Sequence, residues 1–376
     1  MKKTGCLYIA LSIIGLWGCS KEEPVENEPG FGVKEESLIV VNSGNFNMSN
    51  ASLTVWNPET GSHNNAFVSA NGFKLGDVAQ SATVYGDLLW IVVNNSNVVF
   101  AVDKTTLQEK GRIDTGLVSP RYIHFVSDDK AYVTQMYSDK IAIVNPKTYS
   151  VTGYIDVSSS QLKGGSSEEM VQVGDYVYVN LWSYGQSIAK IDTKTDREVG
   201  EYMVGLQPYS LVKDNHDNLW TICDGGGWAE NPVGYEAPTL VELDLNPGVP
   251  GSTWDKKRVF ELPLGASVSK LCTNGIGTRI YFIVNEYNGE GKNVGGVYML
   301  DLTEQYPSFK IVVPAGDRYL YSMTVSPITE QIFVADALDY QQQGAIYRYT
   351  SEGNLIGVFD AGIIPTSYAW INKVIK

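Results

Sequence analysis

Three short apolar runs follow one another in residues 131–157, which read AYVTQ-MYSD-KIAIVN-PKTYS-VTGYIDV. Each run is rich in β-branched and aromatic residues, as β-strands usually are. The stretches between them are polar, and Asn145 with Pro146 favours a tight turn. The segment therefore predicts three consecutive antiparallel strands joined by short loops.

The same arrangement recurs along the whole chain, which points to a repeat architecture. A first apolar run that ends in a polar residue occurs seven times, and a second run follows each one after a polar loop. The first runs are residues 38–42, 90–94, 131–135, 177–181, 219–223, 281–285 and 332–336. The second runs are residues 53–57, 98–103, 140–145, 187–192, 239–244, 296–301 and 345–350.

A further strand precedes the first run in six of the repeats, at residues 81–84, 122–126, 170–173, 210–212, 268–272 and 322–325. The first repeat lacks this strand, and the missing copy stands near the C-terminus at residues 367–371. We therefore expect an all-β fold, a seven-bladed β-propeller of four-stranded antiparallel blades in which a C-terminal strand completes the first blade. Closure matters because an open array of blades would leave bare sheet edges.

Two tandem β-sandwiches are the alternative fold, but they do not explain one repeat that runs across the midpoint. No stretch shows convincing helical periodicity with caps.

The composition excludes several classes of function. The 376 residues include 42 acidic and 28 basic side chains, a formal charge of −14, which argues against nucleic-acid binding. With 3 histidines and 4 cysteines, the chain has few potential ligands for a zinc or redox centre. Cys223 and Cys272 could pair in an oxidising compartment, but the repeat places them on strands of neighbouring blades, which favours buried free thiols.

The N-terminal segment predicts export and lipidation. Lys2 and Lys3 precede an apolar stretch, residues 7–17, that is too short for a membrane-spanning anchor. The stretch ends in Leu16-Trp17-Gly18-Cys19, which resembles a bacterial lipobox with Cys19 as the lipidated residue. An ordinary secretory signal with a chance cysteine is the alternative. We expect a signal peptide at residues 1–18, a lipidated flexible tether at 19–36 and the propeller at 37–376.

Two resemblances sharpen this prediction. The segment AYVTQ with its two following strands resembles the Tyr-Val-Thr-Asn propeller repeat, and residues 177–192 form a weaker copy. Together with the lipobox and the lysine-plus-acidic run Ser20-Lys21-Glu22-Glu23, the chain is similar to the surface-exposed vitamin B12-binding lipoproteins of gut Bacteroidetes, the BtuG type. The resemblance implies a lipid-anchored protein on the outer face of the outer membrane. Such a protein captures cobalamin or a related corrinoid as ligand and passes it to a TonB-dependent transporter.

The loops after the second strand of each blade and those that lead into the innermost strand should open on one face. Aromatic and amide side chains are frequent in both sets of loops, a composition that suits a large, flat and mostly uncharged ligand. The candidate ligand-binding residues are Asn45, Phe46, Gln80, Asn95, Arg121, Tyr122, Tyr137, Trp182, Tyr184, Tyr209, Trp228, Tyr287, Arg318, Tyr321 and Tyr340. A corrin ring edged with carboxamides fits this set, although packing between blades is an alternative role for any single aromatic residue.

The sequence gives little support for catalysis, and we expect no catalytic residue, no metal and no catalytic cofactor. The three histidines fall in different blades, and neither a nucleophile elbow nor a metal-spaced cluster appears. Glu168 and Glu169 could serve a lactonase-like enzyme with Arg121 and Arg318 nearby, but alternation along a regular strand would send the two carboxylates to opposite faces. A propeller hydrolase and a surface module for protein or glycan binding remain alternative functions.

Overall fold

The computed structural model describes residues 36–157, 166–243, 245 and 256–371. The predicted signal peptide, the tether up to residue 35 and the lipidation site Cys19 lie outside these residues. Residues 372–376, which the sequence assigns to the propeller, also lie outside them.

The described residues form strands and one short helix. The first strands are β1 (Ser37–Asn42), β2 (Ser52–Asn57), β3 (Gly61–His63), β4 (Ala79–Tyr85), β5 (Leu88–Val93), β6 (Val98–Asp103), β7 (Glu109–Ile113), β8 (Pro120–Ser127), β9 (Lys130–Gln135), β10 (Lys140–Asn145) and β11 (Ser150–Asp156). The middle strands are β12 (Ser167–Val173), β13 (Tyr176–Leu181), β14 (Ser187–Asp192), β15 (Arg197–Met203), β16 (Pro208–Lys213), β17 (Leu219–Cys223), β18 (Thr239–Leu243) and β19 (Lys256–Glu261). The last strands are β20 (Ser267–Val268), β21 (Cys272–Thr273), β22 (Arg279–Asn285), β23 (Asn293–Asp301), β24 (Phe309–Gly316), β25 (Leu320–Val325), β26 (Ile332–Asp336), β27 (Ala345–Tyr349), β28 (Leu355–Asp360) and β29 (Pro365–Ile371).

These strands form seven antiparallel sheets, which confirms the seven-bladed propeller. From the axis outward, the blades are β29-β1-β2-β3, β4 to β7, β8 to β11, β12 to β15, β16 to β19, β20/β21-β22-β23-β24 and β25 to β28. The prediction of a continuous innermost strand at residues 268–272 is wrong. This strand is interrupted, because β20 and β21 pair separately with β22.

The closure of the ring by the C-terminal strand is confirmed. Strand β29 pairs with β1, so that Leu38 lies opposite Trp370 and Val40 opposite Tyr368. Trp370 also joins the first blade to the seventh, since its Nε1 donates to Thr324 Oγ1 at 3.1 Å. The two ends of the folded chain therefore hold the ring together.

The hydrophobic core lies between neighbouring blades. One cluster joins the second and third blades, with Trp90 and Val92 packed against Ile123, Val133 and other buried side chains. The second strand of most blades is buried throughout, as in β5 and β13 after their first residues. The outermost strands are largely exposed, as β28 shows. The apolar runs of the sequence thus become the shared walls between blades.

One helix was not predicted. Helix α1 (Ala66–Asn71) is six residues long, too short to show a helical period in the sequence. The buried Phe67 anchors it, and Gly72 ends it in the left-handed conformation with its N–H bonded to the Val68 carbonyl. Among the described residues, no helix is long and apolar enough to cross a membrane.

The two cysteines of the propeller are free, as the repeat predicted. Cys223 is buried in β17 of the fifth blade, and Cys272 is partly buried in β21 of the sixth. Burial raises the pKa of the Cys272 thiol to about 12, which makes it a poor nucleophile at neutral pH.

Candidate functional site

The two predicted sets of loops do open on the same face. Backbone hydrogen bonds join the loop after a second strand to the loop that leads into the innermost strand of the same blade. Asn94 N–H donates to the Val78 carbonyl at 2.7 Å, and Trp182 N–H donates to the Ser166 carbonyl at 2.8 Å. We call the surface formed by these loops the loop face.

Six of the predicted aromatic residues project from the loop face into solvent. Their exposed fractions range from 38% for Tyr340 to 69% for Tyr137. Every blade except the second contributes one, from the loop that follows its second strand: Phe46, Tyr137, Tyr184, Trp228, Tyr287 and Tyr340. A single exposed aromatic residue needs no explanation, but aromatic side chains exposed on one face from six different blades point to a binding surface.

Three of these aromatic residues adopt a strained backbone conformation. Tyr137, Tyr184 and Tyr340 have φ angles of 59°, 60° and 63°. For a bulky L-residue this left-handed conformation costs roughly 1–2 kcal/mol. The same conformation also occurs at turns elsewhere in the propeller, such as Tyr149 and Asp196. The fold therefore holds three exposed tyrosines where neither burial nor backbone preference favours them.

The predicted amide residues at the loop face are engaged in local contacts. Asn45 Nδ2 donates to the Tyr340 carbonyl at 2.6 Å, which connects the first blade to the seventh. Asn95 Nδ2 donates to Asp77 Oδ2 at 2.6 Å. These amides order the loops around the aromatic residues, and the unused donor and acceptor atoms of an amide can still face a ligand.

Trp182 is held more firmly than the exposed aromatics. Its Nε1 donates to Asp224 Oδ2 at 2.9 Å, and its ring lies 5.8 Å from that of Tyr209. Burial raises the pKa of Asp224, although bonds from Trp182, Gln207 and the Gly226 N–H oppose the shift. Trp182 thus links the loop face to the central channel.

A repeated irregularity builds the channel mouth. In each of the seven innermost strands, the register with the second strand shifts by one residue near the loop face. Such β-bulges re-aim side chains and are frequent next to functional sites. The residues at the shifts, which we call the bulge ring, are Gln80, Arg121, Tyr122, Glu168, Glu169, Tyr209, Ser269, Lys270, Leu271, Tyr321 and Thr366.

Part of the bulge ring is a buried ion pair. Arg121 Nε lies 2.8 Å from Glu168 Oε1 and 3.1 Å from Oε2, and the two side chains are only 12% and 1% exposed. Arg121 also donates from its NH1 group to Gln80 Oε1 at 2.8 Å, while Gln80 Nε2 donates to the Tyr122 hydroxyl at 3.2 Å. These bonds connect the second, third and fourth blades at the channel axis.

A second pair crosses the channel. Lys270 Nζ of the sixth blade lies 4.6 Å from the ring centre of Tyr122 in the third blade and 3.8 Å from Glu169 Oε1 in the fourth. Burial lowers the pKa of Lys270 despite the opposing effect of Glu169, and burial raises the pKa of Glu169 despite the opposing effect of Lys270. The channel mouth therefore contains two cations and two carboxylates, which balance in charge.

Two predictions about the charged residues are wrong. The bulge at Glu168 and Glu169 breaks the regular alternation, so that both carboxylates reach partners in the channel. Arg318 does not approach them. Its NH1 group donates to the Tyr349 hydroxyl at 2.7 Å and its guanidinium lies 4.4 Å from the ring centre of Tyr347, both within the seventh blade.

Two side chains at this site were not predicted. Lys270 occupies the bulge position of the sixth blade, a position that becomes visible only when the interrupted strand is aligned with the other six. Tyr319, which is 36% exposed, lies in the loop that leads into β25, between the predicted residues Arg318 and Tyr321. Within the described ranges, no group of three or more His, Cys, Asp or Glu side chains is arranged to hold a metal ion.

Solved structures with the same architecture support the fold. Hydrazine synthase of Kuenenia stuttgartiensis is 15% identical, with a TM-score of 0.62 over 79% of this chain and 96% of that chain. The periplasmic gluconolactonase of Pseudomonas aeruginosa is 11% identical, with a TM-score of 0.63 over 90% and 99%. A quinoprotein alcohol dehydrogenase-like protein of Bacteroides thetaiotaomicron is 12% identical, with a TM-score of 0.61 over 91% and 79%. At these identities the similarity concerns the fold alone.

A comparison with curated protein sequences finds no match. The sequence profile of the domain of unknown function DUF5074 matches residues 36–356, from β1 to the start of β28, the outer strand of the seventh blade. The chain therefore belongs to the DUF5074 family.

Proposed function

We propose that the protein is a ligand-capture propeller that binds cobalamin or a related corrinoid on its loop face. The observation that carries the proposal is the set of six exposed aromatic residues, three of them in a strained conformation. Aromatic faces supply a large contact area at low entropic cost. A corrin ring is broad and flat, and its peripheral carboxamides could pair with asparagine side chains such as Asn45 and Asn95 at the same face.

The charge distribution supports a mostly uncharged ligand. The loop-face aromatics are neutral, and the charged groups of the bulge ring form pairs of opposite sign. The ion pairs of the bulge ring therefore add no net charge to the channel mouth. Carboxylates do lie beside the loop-face aromatics, where Asp77 accepts from Asn95 and Asp224 accepts from Trp182. These carboxylates disfavour an anionic ligand.

Retention of a coloured ligand tests the proposal. Purified protein mixed with cyanocobalamin should keep corrinoid absorbance through gel filtration. Alanine at Tyr137, Tyr184 or Trp228 should weaken binding at least tenfold, because each change removes an exposed ring without opening a cavity. Tyr306→Ala is the matched control, since Tyr306 is 82% exposed in the loop between β23 and β24, away from the loop face.

The same experiment separates the alternatives. Loss of all absorbance from the wild-type peak would contradict corrinoid capture. A lactonase should instead hydrolyse a sugar lactone, and that activity should depend on Glu169 or Arg121 and survive loss of the loop-face aromatics. A module for a protein or glycan partner should bind that partner through the same aromatics while ignoring cyanocobalamin.

We further propose that lipidation of Cys19 anchors the protein at the outer surface of the outer membrane, where a TonB-dependent transporter receives the ligand. The support is the lipobox and the lysine-plus-acidic run that follows it. Cys19→Ala should abolish incorporation of labelled palmitate and release the protein from the membrane fraction. Protease added to intact cells should degrade the wild-type protein; full protection would contradict surface exposure.

A further inference from the structure

A cavity of about 300 Å³ extends into the channel below the bulge ring. Its walls come from the innermost strands of the fourth, fifth, sixth, seventh and first blades and from the residues that lead into them. It communicates with solvent beside Ser267 and Tyr319, which are exposed near the loop face. The volume lies at the lower end of the ~300–1,000 Å³ typical of ligand pockets and equals roughly ten water molecules at ~30 Å³ each. This is the space that a molecule of monosaccharide size requires.

Hydroxyl groups dominate the cavity wall. Tyrosine, serine and threonine side chains line it on four blades, and several are paired with one another. The hydroxyls of Ser267 and Tyr319 lie 3.1 Å apart, and those of Ser322 and Tyr368 lie 2.8 Å apart. Because a hydroxyl can both donate and accept, such a wall suits a ligand that is itself rich in hydroxyl groups.

The two charged side chains in the cavity wall, Lys270 and Glu169, lie close together without a direct hydrogen bond. Lys270 Nζ and Glu169 Oε1 are 3.8 Å apart, which is too far for a direct hydrogen bond. Glu169 Oε2 is already occupied, since it accepts from Ser210 Oγ at 2.6 Å and from the Leu211 N–H at 3.0 Å. Lys270 Nζ is buried and has no hydrogen-bond acceptor within the part of the chain that the structure describes. One donor and one acceptor thus face each other across a gap.

An oxygen that lies about 2 Å to the side of the line between these two atoms is about 2.8 Å from each, so a single hydroxyl can accept from the ammonium and donate to the carboxylate. Because Lys270 Nζ is buried, the ligand reaches it with a small shift of the lysine side chain. An anion would satisfy Lys270 but repel Glu169, and a cation would do the reverse. The pair therefore selects for neutrality as well as for a hydroxyl group. Tyr209 and Tyr321 add aromatic walls on which the apolar face of a sugar ring can pack.

We propose that this cavity binds a small neutral polyhydroxy compound of monosaccharide size, with one of its hydroxyls bridging Lys270 and Glu169. The proposal does not depend on which ligand occupies the loop face. It assigns the channel a binding site of its own, below the aromatic surface.

Calorimetric titration tests the chemical class of the ligand. The full-length protein is titrated with glycerol, D-ribose, D-glucose and myo-inositol, and at least one should bind with saturable heat. D-glucuronate and D-glucosamine have the size of glucose but carry opposite charges, and each should bind at least tenfold more weakly than the best neutral polyol. Absence of saturable binding by every neutral polyol, or equal binding of a charged analogue, would overturn the proposal.

Variants locate the site. Lys270→Met and Glu169→Gln should each weaken polyol binding at least tenfold, and Tyr209→Phe tests one wall hydroxyl without changing the shape of the cavity. Lys194→Met is the matched control, because Lys194 is 69% exposed and pairs with Asp175 far from the channel. Unchanged affinity in both the Lys270 and the Glu169 variants would overturn the assignment.

A measurement on the unaltered chain covers the case in which the Lys270 variant does not fold. Cys272 lines the cavity, whereas the side chain of Cys223 is fully buried outside it. Because the raised pKa of Cys272 makes its thiol slow to react, modification by methyl methanethiosulfonate is followed over hours at mildly alkaline pH by peptide mass spectrometry. Saturating polyol should slow the modification of Cys272 at least fivefold and leave Cys223 unaffected. If a polyol binds but the Cys272 rate does not change, the ligand lies elsewhere and the proposal is wrong.

Discussion

Replacing Arg121 by methionine should destabilise the ring sharply, and neutralising its partner should restore part of the loss. Arg121→Met leaves the Glu168 carboxylate, which is 1% exposed, without its ion-pair partner. Removal of one partner from a buried pair typically costs about 3–5 kcal/mol, because the remaining charge is uncompensated. At ~2 °C per kcal/mol for a chain of this size, the melting temperature should fall by roughly 6–10 °C.

The double variant decides whether this mechanism is correct. Adding Glu168→Gln to Arg121→Met removes the uncompensated charge while keeping the side-chain shape, so the double variant should melt above the single Arg121 variant. Differential scanning calorimetry measures both, with Lys194→Met as an exposed ion-pair control that should leave the melting temperature unchanged. A melting temperature of Arg121→Met within about 2 °C of wild type, equivalent to about 1 kcal/mol, would refute this mechanism. A double variant that melts below the single Arg121 variant would refute it as well.

Two other predictions concern stability away from the channel. Hydrogen bonds from Trp220 Nε1 and from neighbouring N–H groups hold the pKa of Asp214 below 3.8, although burial opposes this shift. The ionised Asp214 should therefore stabilise the fold by ~1.5–3 kcal/mol above that pH. This stabilisation should disappear as the pH falls through the folded-state pKa. Urea unfolding of Asp214→Asn and wild type at pH values from about 2.5 to about 7 should show that the difference between their free energies of unfolding becomes smaller at acidic pH. A difference that does not change with pH would contradict this prediction. Gly353→Ala should destabilise more than Gly61→Ala, since both glycines have positive φ but a Cβ at Gly353 would lie 1.8 Å from the Val312 carbonyl oxygen and one at Gly61 meets nothing within 4 Å. Equal melting temperatures of the two glycine variants would exclude that steric effect.

The fold was predictable because each blade repeats one hydrophobic pattern. Buried second strands such as β5 give continuous apolar runs, and turn residues such as Asn145 and Pro146 separate them, so seven units could be counted from the sequence. The C-terminal strand at residues 367–371 was predictable for the same reason. Helix α1 was not, because six residues are fewer than two helical turns and carry no period.

The candidate site was predictable only in part. The exposed aromatics follow from their place after the second strands, and Gln80, Tyr209 and Tyr321 from their place before the innermost strands. The bulges were not predictable, since one extra residue in a strand leaves no compositional mark. For this reason regular alternation predicted opposite directions for Glu168 and Glu169, and Lys270 was not predicted. The orientation of Arg318 depends on Tyr347 and Tyr349, which lie some 30 residues along the chain from it.

The antiparallel pairing of β29 with β1 also fixes where the polypeptide can be attached to something else. Ser37 lies opposite Ile371, and β1 runs from that pair towards the loop face. The chain thus enters its first strand and leaves its last strand on the side of the ring away from the six aromatics. A fusion partner, a surface linkage or a sensor chip joined at either position would leave the aromatic surface turned outward. The strand pairing that closes the ring thus also places both attachment points on the side opposite the aromatic surface.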